Sequence, residues 1–431
     1  MNYAEALTYL EQHYTFDPAD RTTAPSLARM EDLVAVMADP HLGIPTIHVT
    51  GTNGKGSTSR IAIDLLAAHN LHVGGYSSPH LERVNERITS NGEPLTDEEF
   101  AAAIELVATV EPLLEDKWGS TVTYFEVTSA AALGWHAETA CDARVIEVGL
   151  GGTWDATNVL DADVAVVTNV ALDHVETLGP TRSDIAREKA GIISPSSTVI
   201  VGEEDPQLLP IFQARENAGL WSVGNEFELI ENRLAVGGRS IDVRTPFGEY
   251  RDVFVSLNGA HQGRNALLAL AAVESFFGRA LDPDLVAEVL ANVSMAARFE
   301  VVGHRPLTII DGAHNPDGAT AATETLYSDF STEELPVLVA GFNVPRDPHE
   351  MLLALGADRA KAVVATSADW SKALPADEVS SAASEMCDNV VWAPDIGEAV
   401  DAAQRIAGEQ GTVFIAGSLF VAGEARRHLV G

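Results

Sequence analysis

The stretch HVTGTNGKGSTSR, His48 to Arg60, lies between a short β-branched run and a longer amphipathic one, and its reading decides the fold. A strand ending at Thr50, a glycine-rich turn and a helix opening near Ser57 would aim backbone amides and a helix N-terminus at a phosphate group. The widespread phosphate loop reads GxxxxGK[ST]. Here Gly51, Gly54 and Lys55 give GxxGKGS instead, with Gly56 between the lysine and Ser57. Lys55 can neutralise a terminal phosphate, and the hydroxyl of Ser57 or Thr58 can serve phosphate or metal. A Gly/Asn turn with a stray lysine is the bland alternative; it leaves the order of strand, turn and helix without a cause.

Outward from this loop, the pattern repeats. STSRIAIDLLAAHN, DEEFAAAIELVATVEPLL and YFEVTSAAALGWHAE read as helices, while TIHVTG, LHVGGYSS, ARVIEVGL, VAVVTNV and STVIVG read as strands. Short apolar strands alternating with longer amphipathic stretches predict βαβ units and a parallel sheet. Residues 226 to 257 instead alternate apolar and polar positions around turn signals at Gly237–Gly238 and Pro246–Gly248, which predicts a small antiparallel insert. After SMAAR a second α/β series begins with LTIIDGA, LPVLVAGF, AKAVVAT, NVVWAP and TVFIAGS. The expected architecture is α/β: a P-loop-type doubly wound sheet domain with a small β insert over 1–296, and a smaller Rossmann-like α/β domain over 297–431.

Composition narrows the function. The chain has 431 residues, 46% hydrophobic and 21% charged, without a low-complexity run. No segment approaches the ~20 uninterrupted apolar residues of a membrane helix, and the N-terminus lacks the basic and apolar regions of a secretory signal. Cys141 and Cys387 lie far apart and form neither a metal motif nor a disulfide framework. A cytoplasmic monomer with no membrane partner is expected. The net charge is −36, and the 27 basic residues comprise 22 Arg and only 5 Lys. Such a surface repels phosphate backbones, which argues against nucleic acid as a partner. It reads either as a solubilising surface or as an adaptation to high salt. In both cases anionic ligands must be captured by local basic residues.

Three further stretches fall at expected strand ends, where ligands bind in open α/β sheets. EVGLGGTWDATN, Glu147 to Asn158, places a carboxylate in an otherwise apolar run, and buried carboxylates need partners or metal. NVALDHVETLG places Asp173 and His174 at the same edge. Glu147, His174 and a serine hydroxyl would make a hard, oxygen-rich site suited to Mg²⁺ between phosphates. IAREKAGI offers Lys189 between Glu188 and Ala190, although taken alone it reads as a solvated helix face.

Together these residues resemble the Mur-ligase-type amide ligases, and within them the folylpolyglutamate synthase and dihydrofolate synthase branch. The resemblance rests on GTNGKGS, YSSPHL, TYFE, EVGLGGTWDATN, LDHVETLG, IAREKAGI, HQGRNA, DGAHNP and AGSLFVAGEAR, in that order. It implies that Thr52, Asn53, Gly54, Lys55, Gly56 and Ser57 cradle ATP, with Asn265, Arg298, Asp311 and His314 as further ATP contacts. It also implies that Ser78, Glu147 and His174 hold Mg²⁺, with K⁺ as a further candidate ion. Lys55, Lys189 and His174 would be catalytic, and Lys189 matches a lysine that family members carry as a carbamate. The pterin or folate would meet Leu27, Arg29, Thr123, Phe125, Glu126, Asp155 and Ala156. The implied reaction joins L-glutamate to dihydropteroate or to a reduced folate through an acyl phosphate.

Three departures accompany the match. Ser26 stands in SLARM where the family pattern has glycine, and Ala297 stands in AAR where glycine is common. GFNVPRDP supplies Arg346 and Asp347 where relatives have DKD. A peptidoglycan-precursor ligase would share the loop but not SSPHL. A P-loop kinase or regulatory module would keep Lys55 and leave Glu147, His174 and Lys189 unexplained together.

Overall fold

The computed structural model describes residues 1–13, 27–118, 122–330 and 334–431; Ser26 lies outside them. The chain forms two compact units. One comprises Met1–Glu231, Ile241–Val253 and Arg264–Ala291, the other Asn232–Ser240, Phe254–Gly263 and Asn292–Gly431.

The first unit is built on eight strands: β1 (Thr46–Thr50), β2 (Val73–Tyr76), β3 (Ile88–Ser90), β4 (Glu93–Pro94), β5 (Ala143–Glu147), β6 (Val164–Val167), β7 (Thr198–Val201) and β8 (Gly219–Ser222). They run in the order β4-β3-β2-β5-β1-β6-β7-β8. From β2 to β8 the pairing is parallel, as the apolar runs required, whereas β3 and β4 close one edge as antiparallel strands that the sequence pattern did not reveal. Strands β2 and β5 lie on one side of β1, and β6 to β8 lie on the other. The strand order therefore reverses at β1, which puts the chain leaving Thr50 at a topological switch point.

Strands β9 (Glu228–Ala235), β10 (Gly238–Arg244) and β11 (Glu249–Val255) form a separate sheet in the order β11-β10-β9. Their links, through Val236–Gly237 and Thr245–Gly248, are too short for a parallel crossover. In the second unit β12 (Glu300–His304), β13 (Leu307–Ile310), β14 (Val337–Ala340), β15 (Ala362–Ala365), β16 (Val390–Trp392) and β17 (Thr412–Ala416) follow the order β12-β13-β17-β14-β15-β16. All pairs are parallel except β12 with β13. Its core is aliphatic and aromatic, with Phe299, Leu338, Val363 and Phe414 all buried.

The helix after β1 spans Lys55–Ala68, opening two residues earlier than the apolar spacing suggested because Gly54, in the left-handed conformation, already serves as its N-cap. Its buried stripe of Ile61, Ala62, Leu65 and Leu66 faces the sheet. YFEVTSAAALGWHAE forms the helix Tyr124–Glu138, opened by a capping box between Thr123 and Glu126.

A buried polar cluster fixes the approach to that helix. Glu111 accepts from the Tyr9 hydroxyl, from His13 Nε2 at 3.0 Å and from the Val122 amide at 3.3 Å. His13 Nδ1 bonds the Tyr9 carbonyl at 2.6 Å, and the Tyr124 amide bonds the His13 carbonyl at 3.0 Å. Burial works against charge on both partners, yet their mutual hydrogen bond holds His13 above and Glu111 below its ordinary pKa. The stability from His13 is present at low pH and lost as pH rises through its raised pKa, above 6.5. The stability from Glu111 is present above 4.5 and lost as pH falls through its lowered pKa. Glu111→Gln should therefore lower stability by about 3 kcal/mol between these limits. Thermal melts of both proteins across pH should show the gap narrowing on either side.

Candidate active site

Beyond Thr50 the chain turns sharply, and the segment following β6 holds the turn in place. The Thr52 and Asn53 amides donate to the Asn169 carbonyl and side-chain oxygen at 3.1 and 2.9 Å, and the Thr168 hydroxyl donates to the Asn53 carbonyl at 2.6 Å. The Thr52 hydroxyl donates to the Ala171 carbonyl at 3.2 Å and accepts from the Ala171 amide at 3.0 Å. Gly54 has φ +82°, and a Cβ there would overlap Asn265 Oδ1; a Cβ at Gly51 would overlap the Thr168 hydroxyl. Both glycines are therefore required by close approach, and Asn265 lies against the loop. The first intrahelical bond, Thr58 amide to Gly54 carbonyl, is 2.9 Å. The first-turn amides of any helix lack intrahelical partners, which suits an anion at this end. Lys55 Nζ donates to the Gly51 and Thr52 carbonyls at 3.0 and 3.2 Å.

Lys189 ends the helix Arg182–Lys189 and is 3% exposed. The reading of IAREKAGI as a solvated face holds for Arg187, which is exposed, and fails for this lysine. Burial, then the neighbouring Lys55 charge, push the Lys189 pKa far down, opposed only by Asp173. Lys55, Lys189 and Asp173 thus converge electrostatically. His174 follows Asp173 in a left-handed conformation, φ 49°, with its amide bonded to Asp173 Oδ1 at 2.8 Å. The His174 ring is 44% exposed, with Nε2 3.8 Å from the same oxygen.

Glu147 closes β5 and is 5% exposed, and the Ser78 amide points at its Oε2 from 3.4 Å. Among the described residues no three His, Cys, Asp or Glu side chains form a metal-binding group. Mg²⁺ typically takes only one or two carboxylates and completes its octahedron with phosphates and water. The buried Glu147 carboxylate beside Ser78 fits that smaller requirement.

The residues assigned to the pterin also gather in the first unit. Arg29 grips Glu126 through Nε and Nη2 at 2.9 and 2.8 Å, while Glu126 also caps its helix through Thr123. Phe125 lies against Gly149 and tilts toward Tyr76, ring centroids 6.0 Å apart. Asp155 accepts from the Leu150 amide at 2.9 Å and from the Thr157 amide and hydroxyl at 3.0 and 2.5 Å. Its carboxylate thus braces the turn that carries Ala156. Leu27 caps the helix Ala28–Val36, and its carbonyl accepts from Glu31 at 2.8 Å. In the second unit Arg298 precedes β12 and its charge acts on Asp311, which with His314 follows β13. Burial raises the Asp311 pKa, opposed by the Arg298 charge and by amide bonds from Ala313 and Phe299. His314 Nδ1 bonds the Gly312 carbonyl at 3.1 Å. Ala297 has φ 52°, in the left-handed region, which explains physically why glycine suits this position.

Sequence reasoning missed the braces of the loop. Thr168 and Asn169 read as the tail of an apolar strand, and only the Thr-Asn pair breaking VAVVTNV could have flagged them.

The chain matches the Mur ligase middle domain over residues 49–273 and the Mur ligase, glutamate ligase domain over residues 297–419. A Mycobacterium tuberculosis protein named dihydrofolate synthase/folylpolyglutamate synthase is 34% identical over 438 residues, covering 93% of this chain and 89% of its own. The structure of Mycobacterium tuberculosis folylpolyglutamate synthase complexed with ADP superposes with a TM-score of 0.91 at 32% identity, covering 99% of this chain and 97% of that one. An Escherichia coli relative in complex with DHPP and ADP gives 0.87 at 29% identity, covering 99% and 97%. Fold and loop define a Mur-type ligase. Within that class the chain belongs to the dihydrofolate synthase/folylpolyglutamate synthase family.

Gly54→Ala should leave the fold intact at a cost of ~1–2 kcal/mol from the left-handed backbone. It should sharply weaken binding of a fluorescent ATP analogue, because the overlap with Asn265 forces the loop to move; titration and thermal melting separate the two effects.

Proposed function

We propose that this protein is an ATP-dependent amide ligase that adds L-glutamate both to dihydropteroate and to the γ-carboxyl of reduced folates, acting as a cytoplasmic monomer. The observation that carries the reading is the buried Lys189, which meets the charges of Lys55 and Asp173 at the phosphate loop. ADP in the related structures supports nucleotide at this loop.

The γ-phosphate rests against the amides of the Lys55 turn, and Lys55 leaves the Gly51 and Thr52 carbonyls to meet it. An oxygen of the acceptor carboxylate attacks the γ-phosphorus, the bond to the β-phosphate oxygen breaks, and ADP departs. Lys55 offsets the charge that builds on the transferring group. The neutral α-amino group of glutamate then attacks the acyl carbon of the mixed anhydride. The carbon–oxygen bond to phosphate breaks, the nitrogen sheds its proton, and amide and phosphate result. No covalent enzyme intermediate is needed, so positioning dominates. Mg²⁺ held by Glu147 and Ser78, with His174 at the same edge, supplies charge neutralisation to the phosphates when bound.

Lys189 is suited to carbamylation because an amine kept neutral by burial and by Lys55 can add to carbon dioxide. Addition forms the nitrogen–carbon bond and releases one proton, and the resulting anion attracts Lys55. Asn265 borders the nucleotide loop, while Arg298, Asp311 and His314 are assigned to ATP on the family pattern alone. The Arg29–Glu126–Thr123 cluster, Phe125 and the turn of Asp155 and Ala156 hold the pterin, with Leu27 at the entry of the Arg29 helix.

Purified protein with MgATP and glutamate should release phosphate only when dihydropteroate or tetrahydrofolate is added, with the glutamylated product seen by mass spectrometry. Lys55→Ala should abolish this release without changing the circular dichroism spectrum. Acceptor-independent ATP hydrolysis alone would refute the assignment.

A further inference from the structure

Arg87 is a buried arginine with few partners, unlike Arg144, which the Thr46 hydroxyl and the Pro40, His41 and Ile44 carbonyls satisfy. Arg87 is 8% exposed and belongs to the single turn Val84–Arg87 after SSPHL, whose backbone returns to β2 through the Ser77 amide and Arg87 carbonyl at 2.9 Å. Among the described residues it makes one side-chain hydrogen bond, from Nε to His80 Nδ1 at 3.0 Å, and forms no ion pair. Its guanidinium lies over the Tyr124 ring, 5.1 Å from the centroid. Because Nδ1 accepts this bond, the His80 imidazole is neutral, and in no protonation state could it supply a negative counter-charge. Arg29 by contrast is neutralised by Glu126, and buried Arg239 by Asp329.

A guanidinium withdrawn from water and left without an anion costs several kcal/mol unless a ligand supplies the charge. His80 and Tyr124 fix its plane from two sides, as bidentate carboxylate recognition requires. The position is informative too. Tyr124 opens the helix that carries Phe125 and Glu126, and the Arg87 charge acts on Tyr76, whose ring faces Phe125. In a chain of net charge −36, a buried guanidinium without a carboxylate partner among the described residues can select a small anion locally.

We infer that Arg87, aimed by His80 and Tyr124, binds a carboxylate of the acceptor that is not consumed in the reaction: the α-carboxylate of a folate's terminal glutamate. This rests on the ligase reading and adds a determinant that tells folates from dihydropteroate. The reacting carboxylate must reach the phosphate loop and loses its charge on becoming an acyl phosphate. A cation fixed on the aromatic wall instead matches a charge that persists through both steps. Dihydropteroate, with a single carboxylate, has none to spare for Arg87.

The test compares steady-state kinetics of wild type, Arg87→Gln, Arg87→Lys and His80→Ala with each acceptor. Arg87→Gln should raise KM for tetrahydrofolate about tenfold or more, the worth of a charged hydrogen-bonded pair. KM for dihydropteroate, ATP and glutamate should change less than about twofold. Arg87→Lys should recover part of the tetrahydrofolate affinity, and His80→Ala should show the same acceptor selectivity at smaller amplitude. Equal weakening of both acceptors, an effect confined to glutamate, or unchanged kinetics would overturn the inference while the ligase reading stands. Should Arg87→Gln fail to fold, the Arg87→Lys and His80→Ala selectivities decide. Absence of glutamate-dependent turnover in the wild type would instead refute the ligase reading itself.

Discussion

Two lysines that should repel one another, one opening a helix and one ending another, act on each other in the first unit, and the chain has only five. Lys55 rests on loop carbonyls and Lys189 is almost wholly buried, with Asp173 as the acidic neighbour that opposes the strain. A low-dielectric site with surplus positive potential is stable only when negative charge arrives or when one amine gives up its proton. Phosphate supplies the first, and the depressed pKa of Lys189 is the second. The geometry of the glycine loop and its bracing by Thr168 and Asn169 hold Lys55 in this position.

The surface gives the imbalance its value. A molecule of net charge −36 repels nucleotides and carboxylates at long range, so recognition depends on cations recessed from the acidic exterior. The topology supplies the recess. Because the strand order reverses at β1, loops from β1, β5 and β6 open toward one crevice, and residues far apart in sequence gather there without long side chains.

Much of this was legible in the sequence, and for local reasons. The GTNGKGS spacing encodes its own turn, since Gly54 needs a left-handed φ whatever surrounds it, and Thr123 with Glu126 form a capping box within a single turn. The parallel sheet followed from uninterrupted apolar runs such as VAVV. Features created by tertiary packing were not legible. Lys189 sits in a charged octapeptide that reads as solvent-facing, and its burial arises from the elements packed over it. The short β3 and β4 strands at the sheet edge are too brief to carry a period. Asp155, expected at the pterin, spends its carboxylate on Leu150 and Thr157, a partnership no spacing rule announces.

In the proposed reaction the phosphoryl group passes to the acceptor carboxylate before the amide forms. An acceptor labelled with heavy oxygen in its carboxylate tests this directly, read by mass spectrometry of the phosphate released during glutamate-dependent turnover. The account predicts one labelled oxygen in each phosphate, since the bond that breaks in the second step lies between acyl carbon and that oxygen. Phosphate released without label, while labelled amide accumulates, would contradict it.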